Sequence, residues 1–336
     1  MAESETLPVE ATSPRADGGR CEFPGCHPIR ITRDEIADYD GRYEYWEART
    51  ETAWEVNEPT SPYHELPSQR LARLSDRIAA IRGSPIETFG TSDLLVRDAN
   101  GERHSILQAD QILYLDPGRS QPRGHAVEVG QDDLPDVILE VDLTTDVRRG
   151  KLAIYESWGF PEVWVDVPDE RSPSTGSPQP GSARGLPLAR ESRRPSTLTI
   201  YLLEDGRYRT APASVAFPGW TAAEIHKAMN ERDCSAETVA VLTRVGRVLG
   251  ERLGTGPDDD PFLGVQRRES RAEGERAGAT KVFEVMQLLG ARDIAISQAL
   301  IAARDLIVEA PLPALQRAAI DCADGDDFLR RLKELT

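Results

Sequence analysis

The chain has 336 residues, of which 39% are hydrophobic, and it contains 26 glycines and 24 prolines. This length allows one large domain or two moderate ones, and the composition predicts a compact core with extended additions. The 57 acidic and 40 basic residues give a net charge of −17, which argues against a protein that coats nucleic acid non-specifically. Because no apolar run is long enough to cross a bilayer and the acidic N-terminus lacks an apolar signal segment, we expect a soluble, cytoplasmic protein with no membrane contact.

The N-terminal third is predicted to contain a tail, a hairpin and a helix. Residues 1–30 are rich in Pro, Gly, Ser and Glu and show no hydrophobic periodicity, which predicts a disordered tail. Aromatic residues alternate with Glu and Thr at 43–57, which indicates a hairpin. Leucines and isoleucines at helical spacing predict a helix over 63–82, which ends at Gly83.

Four strand-like segments and one more helix follow the predicted helix. The strands are predicted at 93–97, 106–115, 136–142 and 163–167. A helical stretch at 146–158 separates the last two strands and ends at a Gly-x-Pro step. The predicted order is therefore helix, three strands, helix and strand.

The remainder of the chain divides into an insertion, a hairpin and helices. Residues 169–196 form a low-complexity insertion that we expect to be a surface loop, because strands flank it on both sides. Strands are predicted at 197–203 and 208–210, and helices follow Trp220. We therefore predict one domain over 31–220 and a helical C-terminal extension over 221–336.

The segment PDVILEVD at 135–142 is unusual because it places carboxylates in an apolar strand. Strand alternation puts residues 137, 139 and 141 on one face, and Asp136, Glu140 and Asp142 on the other. Clustered carboxylates resist joint ionisation unless a cation lies among them, and oxygen ligands suit Mg²⁺. Alternatively, Asp136 caps a turn, Asp142 begins a loop, and only Glu140 is unusual, paired with Arg148 or Arg149.

Two other charged residues are candidates for the same site. Asp110 is the only charge within the apolar run ILQADQILYL, and it is expected to share a face with Ile112 and Tyr114. Lys151 begins the helix KLAIYESW, one short loop after Glu140. Carboxylates that hold a metal and a lysine that stabilises developing charge suit phosphodiester hydrolysis.

The order PDVILEV, TTDVRRGKLAIYESWGFPEVWVDVPD resembles the Uma family of bacterial restriction-endonuclease-like proteins. ADQILYL and SPYHE add to the likeness, which covers roughly residues 40–210. The resemblance implies the PD-(D/E)xK nuclease superfamily and its fold class, an α/β (α+β) restriction-endonuclease-like αβββαβ core with a mixed central sheet. It also implies hydrolysis of DNA with Mg²⁺ or Mn²⁺ as cofactor.

The resemblance assigns roles to residues at matching positions. It implies that Asp110 and Glu140 bind the metal and that Lys151 completes the catalytic set, because Asp142 stands where the superfamily usually has Lys. Asp136 and Asp142 would be additional ligands. His64 and either Glu44 or Glu47 lie on segments that flank the site in this family. Arg148 and Arg149 are candidate DNA contacts.

Two classes of function follow from these patterns. The first is a metal-dependent endonuclease that acts on DNA, with a homodimer through the C-terminal helices as a further expectation. The second is a catalytically weak or inactive nuclease-fold protein that acts in protein or nucleic-acid interaction. The second is favoured by Asp142, by the net charge of −17 and by the helical extension.

Overall fold

A computed structural model describes residues 22–56, 62–120, 126–143, 146–169 and 195–336. The chain divides into two compact units, residues 1–261 and residues 262–336. Among the residues that are described, no helix is both long and apolar enough to cross a membrane. The low-complexity stretch at 170–194 and residues 1–21 of the predicted tail lie outside the described residues.

The described part of the chain contains ten strands and nine α-helices. The strands are β1 Cys26–Arg30, β2 Tyr43–Glu47, β3 Thr52–Val56, β4 Glu87–Arg97, β5 Arg103–Tyr114, β6 Ala126–Glu128, β7 Val137–Val141, β8 Glu162–Val167, β9 Thr197–Glu204 and β10 Arg207–Ala211. The helices are α1 Pro62–Arg82, α2 Lys151–Trp158, α3 Ala222–Asn230, α4 Ala236–Leu253, α5 Gly264–Gly290, α6 Gln298–Ala302, α7 Arg304–Glu309, α8 Leu312–Asp321 and α9 Gly325–Leu335.

A mixed, largely antiparallel sheet is the centre of the N-terminal unit. Its main path runs β1-β3-β2-β5-β7-β8-β9-β10, with β4 and β6 along the other side of β5. The β7–β8 and β4–β6 pairs are parallel. Helix α2 connects the parallel pair β7 and β8, as such crossovers require. The predicted mixed α/β class, with a central mixed sheet and C-terminal helices, is therefore confirmed.

The two faces of the sheet are covered by different helices. One apolar cluster joins the sheet to α1, α3 and α4 and includes Leu71, Trp164 and Trp220. A second cluster lies on the other face and joins the sheet to α2 through Ile154 and Tyr155. Because β7 contributes its odd-numbered apolar residues to the first cluster and Ile138 to the second, the predicted alternation of this strand is confirmed.

Local signals explain where the helices begin and end. Thr221 caps α3 in a capping box with Glu224, and the Ser235 side chain accepts a hydrogen bond from the Thr238 amide at the start of α4. Helix α2 ends at Gly159, whose φ of +83° is a left-handed conformation that glycine adopts without strain. The end of α2 lies at the predicted Gly-x-Pro step.

Several elements differ from the sequence-based expectations. Strand β1 forms within the predicted tail, because its backbone pairs with β3 from Cys26–Val56 to Arg30–Thr52, and Pro28 is tolerated on this edge strand. Strand β4 begins at Glu87, before the predicted start, because its pairing with β5 runs from Glu87–Tyr114 to Arg97–Arg103. Helices α3 and α4 pack against the sheet within the N-terminal unit, which ends at residue 261.

The C-terminal unit has an apolar core of its own. Helices α5 to α9 supply its buried side chains, which include Leu289, Leu300, Leu315 and Phe328. The guanidinium of Arg292 donates to the carbonyls of Ala319 and Cys322 near the end of α8. This unit is therefore a helical module with a buried core, as the apolar periodicity of its sequence indicates.

Candidate active site

The candidate site lies at a fork in the sheet. Strands β2 and β7 pair with the same edge of β5, β2 near its beginning and β7 near its end. Asp110 lies on β5 between these two pairings. Its carboxylate accepts a hydrogen bond from the backbone amide of Val141 at 2.7 Å. The Asp110 side chain therefore connects the end of β7 to β5 where the fork opens.

Glu140 and Lys151 form a buried ion pair beside Asp110. Glu140 is 2% exposed and Lys151 is 3% exposed. The Lys151 Nζ lies 2.7 Å from Glu140 Oε2 and 2.5 Å from Glu44 Oε2. Since Lys151 is the first residue of α2, the start of this helix brings the ammonium directly to the end of β7.

Asp142 holds the loop that carries Lys151. Its Oδ1 accepts a hydrogen bond from the Val147 backbone amide at 3.0 Å. The side chain of Asp146 caps the following turn by accepting from the Arg148 amide at 3.2 Å. Asp142 therefore contributes to positioning the loop, and the structure does not place it among the carboxylates around Lys151.

Tyr155 is a member of the site that the sequence analysis missed. It lies one turn after Lys151 on α2, and its hydroxyl donates to Glu140 Oε1. The Glu140 carboxylate thus has an ammonium on one oxygen and a phenol on the other. The four-residue spacing of Lys151 and Tyr155 on one helix face is the signal that would have indicated this role.

Glu44, and not Glu47, is the β2 carboxylate that reaches the site. The register of β2 against β3 shifts between Tyr43 and Trp46, which is an irregularity of the β-bulge type. Tyr43 and Trp46 pack in one cluster while Tyr45 packs in the cluster next to α2. The bulge therefore aims Glu44 at Lys151, which strict alternation does not predict.

Glu47 lies at the far end of β2, opposite Ser105. Its carboxylate accepts from the Thr50 hydroxyl at 3.4 Å and lies 3.6 Å from Arg49. The structure therefore does not bring Glu47 to Lys151, because its side chain is engaged by the adjacent turn.

His64 lies next to Asp110, as expected for a segment that flanks the site. Its Nε2 is 3.5 Å from Asp110 Oδ1, and its Nδ1 is 3.4 Å from Glu65 Oε1. The two side chains are 19% and 17% exposed, so this edge of the site is more open than the Lys151 side.

Asp136 is not brought to the site. It precedes β7, at the opposite end from Glu140, and its Oδ2 accepts from the Leu115 amide at 2.7 Å. Its other oxygen accepts from the Arg119 guanidinium at 2.7 Å. Both oxygens of Asp136 therefore have protein donors, and the structure does not bring this carboxylate to Glu140.

Arg148 and Arg149 lie between β7 and α2, and each contacts a carboxylate. The Nε of Arg148 lies 2.8 Å from Asp146, and Arg149 lies 3.5 Å from Glu22. The two guanidinium side chains are 49% and 53% exposed. Because exposed ion pairs of this kind are worth only about 0–1 kcal/mol, both arginines are able to exchange partners.

Residues 22–26 lie over the ammonium side of the site and are called the N-terminal cover here. Phe23 is 7% exposed, and its ring stacks on Tyr45 at 5.5 Å and contacts Trp54 at 5.4 Å. The Glu22 carbonyl lies 2.6 Å from where a Cβ on Gly150 would be, so only glycine fits before Lys151. A concavity is lined by Glu22, Phe23, Pro24, Glu44, Asp146, Val147 and Lys151.

Burial controls the protonation of the site. It raises the pKa of Glu140 well above its ordinary value, and Lys151 offsets only part of the rise. It also raises the pKa of Asp110, which His64 and Lys151 partly offset. Burial alone would lower the pKa of Lys151, but the surrounding carboxylates outweigh it and hold this pKa above its ordinary value. Lys151 is therefore a permanent cation among carboxylates that require positive charge.

The donor set fits a hard divalent cation in chemical type. Carboxylate oxygens of Asp110 and Glu140 are the ligands that Mg²⁺ and Mn²⁺ prefer. The raised pKa of each carboxyl shows that one ammonium does not fully compensate the buried negative charge. Among the described residues, however, no three Asp, Glu, His or Cys side chains form a ready metal cage. In this arrangement the Lys151 ammonium provides the positive charge between Glu44 and Glu140.

Comparisons with known proteins place the chain in a family. The profile of the Uma2 family, described as "Putative restriction endonuclease", matches residues 34–227. A comparison with curated proteins gave no match. One similar solved structure is described as a "putative nuclease belonging to DUF820" from Anabaena variabilis ATCC 29413. It is 11% identical, covers 64% of this chain and 99% of its own, and has a TM-score of 0.34. Since the family profile matches more than half of the 336 residues, the chain belongs to the Uma2 family.

Proposed function

We propose that this chain is a metal-dependent endonuclease that hydrolyses DNA phosphodiester bonds at the fork between β2 and β7. The observation that carries the proposal is the convergence of Glu44 and Glu140 on Lys151, whose ammonium lies 2.5 Å from Glu44 and 2.7 Å from Glu140. Asp110 lies beside these residues. These residues come from three strands and a helix within the part of the chain that matches a restriction endonuclease family.

Asp110 and Glu140 are the proposed metal ligands. A bound Mg²⁺ or Mn²⁺ supplies activation of a water molecule and shielding of phosphate charge. Tyr155 orients the Glu140 carboxylate through its hydroxyl, and His64 lies where it restrains Asp110. Because the pKa of Lys151 is above its ordinary value, this residue acts as a fixed positive charge near the phosphate and not as a general base.

The substrate class follows from the family, and the approach to the site follows from its rim. Arg148 and Arg149 are proposed to exchange Asp146 and Glu22 for DNA phosphates, since both guanidinium side chains are about half exposed. The net charge of −17 makes such a local basic rim necessary, because the molecule as a whole repels DNA.

Metal-dependent nicking of supercoiled plasmid tests this function. The wild-type chain is expected to cleave with Mg²⁺ or Mn²⁺ and to stop when EDTA is added. Glu140→Gln keeps the shape of the side chain but removes its charge, and is expected to lower the rate at least about 100-fold. Glu47→Gln is the matched control on the same region of the sheet, and it is expected to keep wild-type cleavage because Glu47 is outside the site.

The second candidate function is a nuclease-fold protein that interacts without cleaving. One observation favours it, namely that the Lys151 ammonium already bridges Glu44 and Glu140 beneath the N-terminal cover. Wild-type protein that never cleaves with either metal would reject the proposed endonuclease and favour this alternative, whereas cleavage that persists in Glu140→Gln would reject the proposed site.

Access to Lys151 is proposed to require movement of the N-terminal cover. The cover precedes the part of the chain that matches the family, and Phe23 anchors it against Tyr45 and Trp54. Cys26, at the end of the cover, is half-buried, and burial raises the pKa of its thiol to about 12. Because only the thiolate reacts, alkylation of Cys26 reports opening of the cover.

Phe23→Ala is expected to increase Cys26 alkylation by iodoacetamide about tenfold or more, because each lost aromatic contact removes about 0.5–1.5 kcal/mol in addition to the lost burial. Peptide mass spectrometry measures this rate, with the exposed Cys234 as reference in the same molecule. Phe89→Ala removes an aromatic ring that contacts Tyr114 instead, and serves as the control. Equal Cys26 rates in wild type and Phe23→Ala would show that Phe23 does not hold the cover.

A further inference from the structure

A second cluster of reactive side chains lies on the opposite face of the sheet from Glu140. Asp166 is on β8, and the preceding residue, Val165, pairs with Glu140 in the parallel β7–β8 ladder. Trp164, two residues before Asp166, packs in the cluster that joins the sheet to α3. Because faces alternate along the strand, Asp166 also faces α3 and is separated from Glu140 by the sheet.

Three side chains in this cluster form a continuous hydrogen-bonded chain. Asp166 Oδ1 lies 2.6 Å from Nδ1 of His226, which is on α3. Nε2 of the same imidazole lies 3.0 Å from Oγ of Ser196, immediately before β9. The three residues come from separate elements, so their alignment depends on tertiary packing and is not a local turn motif.

Solvent exposure increases along these three hydrogen-bonded side chains, from the carboxylate to the hydroxyl. The Asp166 side chain is fully buried, the His226 side chain is 19% exposed, and Ser196 is exposed. Asn230 Nδ2 lies 3.4 Å from the second Asp166 oxygen and donates to the His226 carbonyl at 2.9 Å. The buried end is thus restrained, while the hydroxyl end is accessible to a ligand.

The arrangement determines which imidazole nitrogen accepts a proton. When Asp166 is ionised it only accepts hydrogen bonds, so the Nδ1–H of His226 donates to it. Nε2 is then the acceptor that faces the Ser196 hydroxyl. Proteins activate a serine by hydrogen-bonding its hydroxyl to a base, and a buried carboxylate orients that base.

We propose that Ser196, His226 and Asp166 form a second active site that hydrolyses small carboxylic esters, independent of the nuclease site. Ser196 Oγ forms a bond to the ester carbonyl carbon as its proton moves to His226 Nε2. The bond to the alcohol oxygen breaks, and the departing alcohol takes that proton. Water then attacks the acyl-serine by the same route, which releases the carboxylic acid and restores the Ser196 hydroxyl. The overall reaction consumes one ester and one water.

Covalent labelling with a fluorophosphonate probe tests the proposal on the full chain. Ser196 displaces fluoride from phosphorus, and tryptic mass spectrometry locates the adduct. We expect labelling of the wild type at Ser196, none at that position in Ser196→Ala, and at least about 100-fold slower labelling in His226→Gln. Ser92→Ala removes a half-buried hydroxyl on β4 and serves as the control that keeps wild-type labelling.

Hydrolysis of p-nitrophenyl acetate gives a second readout that does not depend on the probe. Release of p-nitrophenol is expected to fall to the background rate in Ser196→Ala, whose exposed position makes the fold insensitive to this change. Plasmid nicking by Ser196→Ala is expected to equal that of the wild type, because the sheet separates the two sites. Labelling that is spread over several serines, or that is equally fast in His226→Gln, would overturn the proposal whatever the nuclease assay shows.

Discussion

Lys151→Met is expected to lower the free energy of unfolding of the N-terminal unit by about 3–5 kcal/mol at neutral pH. The side chain is 3% exposed, and its ammonium contacts the carboxylates of Glu44 and Glu140. Methionine keeps the length and the apolar stem of lysine but removes the charge. The carboxylates are then buried without a cation, and this costs far more than the loss of an exposed ion pair.

The loss is expected to grow with pH. Burial raises the pKa of Glu140 above its ordinary value of 4.5, and Lys151 offsets part of the rise. A carboxyl with a raised folded-state pKa carries no penalty below its unfolded pKa, and the penalty increases as pH rises to the folded pKa. Removing Lys151 moves that folded pKa higher, and each further unit costs about 1.4 kcal/mol at alkaline pH. Asp110 changes in the same direction, since Lys151 also lowers its pKa.

Urea unfolding followed by tryptophan fluorescence at about pH 5, 6, 7 and 8 measures this effect. All five tryptophans lie between residues 46 and 220, so their fluorescence reports the N-terminal unit. The double variant Lys151→Met with Glu140→Gln lacks the carboxylate at 140, and its pH dependence is expected to be flatter than that of Lys151→Met. If Lys151→Met and the wild type gave parallel curves from about pH 5 to 8, the ammonium would not be what compensates Glu140.

Much of the fold follows from patterns within single elements. The helix over residues 63–82, the strand with Glu140 and the capped helices after Trp220 are all specified by side-chain periodicity and terminal residues. The elements that the sequence did not predict depend on partners. Strand β1 and the first half of β4 lack a run of alternating apolar residues, and each forms because a neighbouring strand supplies its hydrogen bonds.

The residues of the candidate site, like the elements of the fold, could be predicted only in part from the sequence. Asp110, Glu140 and Lys151 stand out because each is a charge in an apolar setting, and the structure brings their side chains into one electrostatically coupled group. Predicting the orientation of Glu44 requires knowledge of the bulge in β2, and the alternation of side chains along a single strand does not reveal a bulge. Asp136 and Asp142 share the face of Glu140, but backbone amides engage both of them. For residues of one strand, lying on the same face is thus necessary for belonging to a common site, but it is not sufficient.

Glu162 lies in the part of the chain that matches the family and has a structural role. It is the Glu of the sequence GFPE, and it is 2% exposed at the start of β8. One carboxylate oxygen accepts from the Trp164 indole at 2.5 Å, and the other accepts from the amides of Val215 and Ala216 at 3.1 and 3.0 Å. The side chain therefore connects β8 to the loop that carries the buried aromatic residues Phe217 and Trp220.

Glu162→Ala is expected to lower the free energy of unfolding of the N-terminal unit by about 3–5 kcal/mol. The change leaves the buried Trp164 indole without its acceptor and removes the acceptor of the Val215 and Ala216 amides, which are partly buried. A buried donor left without an acceptor costs about 1–3 kcal/mol, and a partly buried one costs less. Glu162→Gln keeps one acceptor oxygen but turns an amide N–H₂ toward other donors, so its loss is expected to be about half as large. Urea unfolding followed by tryptophan fluorescence measures both, with the half-exposed Glu204→Ala as the control within about 0.5 kcal/mol of wild type. A change below about 1 kcal/mol in Glu162→Ala would mean that water replaces the carboxylate, and that β8 and the loop are held together by the packing of Trp164, Phe217 and Trp220 alone.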